Sequence, residues 1–236
     1  MIKAENLTKV YSENSGNFNI NLSISKGEVF GIIGPNGAGK TTLIRQILGF
    51  ISPDKGNVRI DELDPFLNID KIMKKTGYLP GEVSLNDDLK GIDYLKTVHF
   101  LRNGTNEDWE YTKKLINYFE IDTKTKIKKM SKGMKQKIAI ITSVMHKPEL
   151  LIMDEPTSGL DPVMQDLFNA FILKLKNENN TTIIICSHIF EEIAKTCDRV
   201  AIIKNGILVK EFNVSDKDIE KISKEFSDVY KRKEFK

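Results

Sequence analysis

Nine consecutive residues constrain this chain more than any other stretch: Gly34-Pro35-Asn36-Gly37-Ala38-Gly39-Lys40-Thr41-Thr42. They fit G-x-x-x-x-G-K-[ST], the Walker A loop that wraps a polyphosphate. Before them, Val29-Phe30-Gly31-Ile32-Ile33 reads as a buried strand; after them, Leu43, Ile44, Ile47 and Leu48 recur at helical spacing. Strand, loop and helix in that order are what the chemistry needs. Glycines let the backbone curl so that successive N–H groups point inward, and the helix start adds unpaired donors and a positive dipole end. Lys40 can reach β- and γ-phosphates, and the Thr41 hydroxyl can ligate Mg²⁺. The structural alternative, a glycine-rich turn before a helix, leaves both flanks without a reason.

At 236 residues the chain suits one large domain, or one domain with an inserted subdomain. The net charge of +3 is too small to argue for nucleic acid. Cys186 and Cys197 lack metal-ligand spacing, which suits free thiols in a reducing compartment. Neither a leader pattern before Ile2-Lys3-Ala4 nor an apolar run of membrane-spanning length is read, so the chain is not expected to span a membrane by itself.

Tyr11 precedes the loop, where its ring could stack on a base or simply pack. Phe18, Ile20, Leu22 and Ile24 alternate as a half-buried strand, and Val58 and Ile60 suggest another. A helical stretch from about Leu67 to Lys75 leads to Gly77-Tyr78-Leu79-Pro80. From Glu82 to Lys147 strand signals vanish: Ile92, Leu95, Val98 and Leu101 mark one amphipathic helix, and Leu115, Ile116 and Phe119 another. His99 reads there as a helix-face residue. Between Thr123 and Lys137 stand seven lysines and no acid, a solvated face that also surrounds Ser131-Lys132-Gly133 and would suit an anion. Val163 to Lys176 reads as a helix and Thr181 to Cys186 as a buried strand, while Asn205-Gly206 marks a hairpin between Arg199–Ile203 and Ile207–Phe212. Residues 213–236 form a charged tail with some helical character.

A second chemical motif is the apolar strand Leu150-Leu151-Ile152-Met153 ending in Asp154-Glu155. A buried strand delivers its last residues to the sheet edge where ligands bind. Asp154 can help hold Mg²⁺, and Glu155 can orient or deprotonate an attacking water. Two acids after a strand are often no more than a strand end; the upstream loop favours the chemical reading.

Taken together, Gly34–Thr41, Ser131-Lys132-Gly133-Met134-Lys135-Gln136, Leu150–Glu155, Ser158-Gly159-Leu160-Asp161 and His188 resemble an ATP-binding cassette (ABC) ATPase in order and spacing, over residues 2–212. The resemblance implies an α/β P-loop core, 1–81 with 148–212, bearing an N-terminal antiparallel β subdomain, and an inserted α-helical subdomain, 82–147. It implies two cassettes, identical or different, facing head to tail, each ATP held by the Walker A loop of one and the signature of the other. Ser131 and Gly133 would then reach the γ-phosphate, Tyr11 would stack on the base, Asp161 would lie at the dimer seam, and His188 would touch the γ-phosphate beside Glu155.

Two departures matter. The usual L-S-G-G-Q is Met130-Ser131-Lys132-Gly133-Met134, with a lysine where glycine is usual. The Q-loop glutamine is replaced by Gly81, followed by Glu82, so the usual side chain near Mg²⁺ is either missing or supplied by Glu82. Both resemble bacitracin-type and related antibiotic-export subunits. The expectation is therefore an ATP-hydrolysing subunit on the cytoplasmic face of the membrane, using ATP and Mg²⁺ and driving a separate permease that exports antibiotic- or peptide-like compounds. A single-cassette assembly factor and a sensory ATPase module are the rival readings.

Overall fold

The computed structural model describes residues 1–13, 15–214 and 218–230. They divide into two compact units, Met1–Ile69 with Ile184–Lys236, and Asp70–Ile183. In the first unit, β1 (Ile2–Ser12) pairs antiparallel with β2 (Ser15–Ile24), matching Ile2 to Ile24. On β2, Ile20, Leu22 and Ile24 are buried while Asn19, Asn21 and Ser23 are exposed, the period-two pattern of a one-sided sheet. β3 (Val29–Ile33) is buried at every position and runs into α1 (Lys40–Ile47), which buries Leu43, Ile44 and Ile47. β4 (Lys55–Ile60) completes a three-stranded antiparallel sheet ordered β2-β1-β4.

In the second unit, α2 (Ile69–Lys74) leads into β5 (Thr76–Leu79). Three helices follow: α3 (Gly91–Leu101), α4 (Asn106–Tyr118) and α5 (Lys132–Val144). A capping box starts α4: Thr105 Oγ1 accepts from the Asp108 N–H while the Asp108 carboxylate accepts from the Thr105 N–H. β6 (Leu150–Asp154) is parallel to β5 and wholly buried. Fully burying such side chains is worth roughly 1.5–3 kcal/mol each, which outweighs the span of about 1 kcal/mol in local strand propensity. α6 (Pro162–Asn179) begins with Pro162 after the Asp161 cap and stops at Asn180 in a left-handed conformation.

β7 (Thr182–Cys186) is buried throughout. Back in the first unit, α7 (Phe190–Thr196) is followed by β8 (Arg199–Lys204), parallel to β3, and by β9 (Ile207–Asn213), antiparallel to β8. Asn205-Gly206 makes the turn, as its sequence predicts. The last described helix is α8 (Ile219–Tyr230); residues 215–217 and 231–236 of the tail lie outside the described residues.

Three elements exceed the reading from sequence. β5 is four residues long and carries Gly77, two weak signals at once. The glycine has a packing reason: a Cβ there would lie 2.0 Å from the Ser143 carbonyl of α5. α5 hides because a lysine-rich start runs into the unbroken apolar stretch Ile138–Ile141, where helix and strand periods look alike. His146, just past α5, donates from Nε2 to the Thr76 carbonyl at 3.1 Å, and burial pushes its pKa down to about 4, so a neutral imidazole clamps α5 to β5. α7 is only seven residues, too short for periodicity to show.

Candidate nucleotide-binding site

The first unit carries the glycine-rich loop on the end of a buried strand, held from two sides. The Gly206 N–H of the β8–β9 turn donates to the Ala38 carbonyl at 2.8 Å, and Asn17 Nδ2 donates to the Gly39 carbonyl at 3.3 Å. Gly34 packs so closely on β8 that a Cβ would lie 2.6 Å from the Ile203 carbonyl. Gly39 has φ 107°, a conformation that L side chains rarely adopt, and caps α1. Lys40 is 6% exposed, and its ammonium donates to the Gly34 and Pro35 carbonyls at 2.6 and 3.2 Å. It makes no ion pair among the described residues. A buried cation held by carbonyl dipoles alone keeps its full charge for an anion. Pro35, Asn36, Gly37 and Thr41 are exposed, so the outer rim of the loop is open to a ligand.

Two further predicted residues share this unit. Ser187 is buried and its N–H donates to the carbonyl of Ile32, one residue short of the end of β3, at 3.3 Å; this anchors the exposed His188 next to it. Tyr11 lies near the end of β1 and is 54% exposed, available for stacking.

The second unit carries the carboxylates and the signature. Asp154 is 4% exposed at the end of β6. Glu155 follows in a left-handed conformation, φ 51°, unfavourable for a non-glycine residue and concentrated in proteins at functional positions. The Gly81 backbone abuts Asp154: a Cβ there would sit 3.4 Å from Oδ2. The Glu82 side chain is exposed. Ser131 caps α5, its hydroxyl accepting from the Met134 N–H at 3.2 Å, so the signature sits on a helix N-terminus.

Signature and Asp161 segment are knitted together inside this unit. Lys132 Nζ donates to Ser158 Oγ at 3.0 Å, and its stem lies over Gly159, where a Cβ would come within 3.0 Å of Lys132 Cγ and Cδ. A Cβ on Gly133 would lie 2.8 Å from the Gly159 carbonyl. Gln136 is buried and donates to the Pro156 carbonyl at 2.7 Å, tying α5 to the residue after Glu155. Asp161 caps α6 by accepting from the Met164 N–H at 3.0 Å. The bracing roles of Asn17, Gln136 and Ile203 escape a sequence reading, because a buried amide or a strand carbonyl carries no pattern.

Comparison with known proteins agrees with this geometry. A family profile described as ABC transporter matches residues 18–158. The bacitracin transport ATP-binding protein BcrA of Enterococcus faecalis is 36% identical over 216 residues, 92% of this chain and 70% of that one. The linearmycin resistance ATP-binding protein LnrL of Bacillus subtilis is 37% identical, over 89% of this chain and 68% of that one. Among solved structures, the dimeric post-hydrolysis state of the ATP-binding cassette MJ0796 bound to ADP and Pi superposes with a TM-score of 0.81 at 25% identity, covering 91% of this chain and 99% of that one.

Proposed function

Because the chain belongs to the ABC transporter family, we propose a division of labour among its residues and a use for the energy they release. The chain is an ATP-binding subunit and hydrolyses ATP to ADP and phosphate. In our reading Gly34, Pro35, Asn36, Gly37, Ala38, Gly39, Lys40, Thr41 and Thr42 hold the phosphates, and Tyr11 stacks on the base. Glu155 accepts a proton from water as its oxygen attacks the γ-phosphorus and the bond to the ADP oxygen breaks. His188 fixes the γ-phosphate. The Thr41 hydroxyl and the Asp154 carboxylate are hard oxygen donors of the kind Mg²⁺ takes, with Glu82 as a further candidate; when bound, the ion neutralises charge on the β- and γ-phosphates.

The Ser131 hydroxyl and the Gly133 N–H complete the site of a second cassette across a head-to-tail seam that includes Asp161. The helical segment 82–147 acts as the insert that presents them, on a core of 1–81 and 148–212. No helix among the described residues is long and apolar enough to cross a membrane. In our reading, which the transport and resistance names of the relatives support, the cassette pair works on a separate permease at the cytoplasmic face. The names of BcrA and LnrL favour export of antibiotic-like compounds.

One observation carries this reading: the buried Lys40 ammonium, which among the described residues is held by the Gly34 and Pro35 carbonyls of the glycine-rich loop and by no carboxylate. Lys40→Ala should abolish ATP binding and turnover while the thermal midpoint stays within a few degrees of the parent. A variant that melts like the parent and hydrolyses ATP at the parental rate would remove this loop from the mechanism.

A further inference from the structure

Helix α8 has no part in the chemistry above, yet its contacts lead to both phosphate-handling segments of the first unit. At its end, Tyr230 Oη donates to the Ile203 carbonyl at 2.6 Å. Lys204 Nζ donates to the Val229 carbonyl at 2.6 Å and lies 5.1 Å from the centre of the Tyr230 ring. The Ile203 carbonyl is the atom against which Gly34 packs. The position of the first glycine of the loop therefore depends on a carbonyl that Tyr230 holds. Burial raises the Tyr230 phenol to about 12, so it remains a donor at any working pH.

One turn earlier stands Phe226. Its ring stacks on Tyr230, with centroids 4.5 Å apart, and meets Phe190 at 5.0 Å. Phe190 opens α7, two residues after His188. Phe190, Phe226 and Tyr230 thus form a ladder of rings from the histidine segment to the base of the loop. Ile222 is buried at 1% exposure, and a Lys210–Glu225 ion pair joins α8 to β9, so the ladder stands on an anchored helix.

We propose that α8 is a positioning element for ATP hydrolysis, with Tyr230 setting the Gly34 end of the loop through Ile203 and Phe226 setting His188 through Phe190. Neither residue needs to touch nucleotide. The proposal rests on the reading that the loop and His188 handle the phosphates.

Tyr230→Phe keeps the ring on Phe226 and Lys204 but removes the hydrogen bond. Phe226→Ala removes the rung, and Phe226→Leu restores its bulk. In the full chain we expect Tyr230→Phe to weaken ATP binding roughly 3- to 10-fold, the worth of one hydrogen bond, with kcat within about twofold. We expect Phe226→Ala to lower kcat roughly 10- to 100-fold, the cost of a misplaced catalytic group, with ATP affinity nearly unchanged and with Phe226→Leu recovering much of the loss. Melting curves establish that each variant is folded; should Phe226→Ala unfold, Phe226→Leu and Tyr230→Phe carry the test. Lys40→Ala, run alongside, separates the two claims. If it abolishes binding while folded position-226 and position-230 variants bind and turn over like the parent, α8 is only scaffolding and the proposal falls. If Lys40→Ala binds ATP normally, the underlying reading of the loop fails.

Discussion

Lys132 shows at the residue scale how a departure from a family pattern acquires a physical role. Glycine at that position would leave the close approach of Gly133 to Gly159 between the signature and the Ser158–Asp161 segment, without a side-chain hydrogen bond from position 132. The lysine adds a side-chain hydrogen bond to Ser158 and covers Gly159 with its stem. It is exposed, so the bond is worth little as stability and more as orientation. Lys132→Gly should leave unfolding in urea within about 1 kcal/mol of the parent and lower ATP turnover roughly 2- to 5-fold, the scale of one exposed hydrogen bond. Binding of ATP to a single chain should not change. A turnover equal to the parent's would show that the tether orients nothing used in the reaction.

At the scale of elements, the same residue can serve fold and function, and substitutions must separate the two. Asp161 caps α6, and the resemblance places it at a seam between cassettes. Asparagine caps a helix about as well as aspartate, whereas alanine leaves an N–H unsatisfied. Asp161→Asn should therefore unfold like the parent, and Asp161→Ala should lose about 0.5–2 kcal/mol in denaturant titration. If Asp161→Asn nevertheless turns ATP over more slowly, the charge acts at the seam and the cap alone does not explain the residue. Elements with a clean period were legible from sequence: β2 by alternation, α3 and α4 by helical stripes, the β8–β9 turn by Asn205-Gly206. β5, α5 and α7 were not, because a glycine demanded by close packing, an unbroken apolar run and a seven-residue length each erase the period. The candidate residues of the site were legible one by one, since the proposed chemistry calls for glycines, a lysine and two carboxylates by type. What braces them was not: Ile203, Gln136 and Asn17 act through position alone, and α8 reaches the loop only through tertiary contacts.

For the whole molecule, ATP is proposed to join two chains and hydrolysis to release them. The phosphate loop of one chain and the Ser131–Gly133 helix start of another would grip one γ-phosphate. Removing that phosphate removes the shared ligand, so the closed pair should be transient in the parent. Glu155→Gln keeps size and some hydrogen bonding but cannot take a proton, and turnover should fall by something like 10²–10⁴-fold, the usual cost of losing a general base. ATP would then persist and hold the pair closed by linkage. The decisive measurement is light scattering of the Glu155→Gln chain with saturating ATP and, separately, with ADP. Mass should double with ATP and stay unchanged with ADP. A Glu155→Gln chain that binds ATP and keeps the same mass in both nucleotides would show that ATP does not join two copies of this chain.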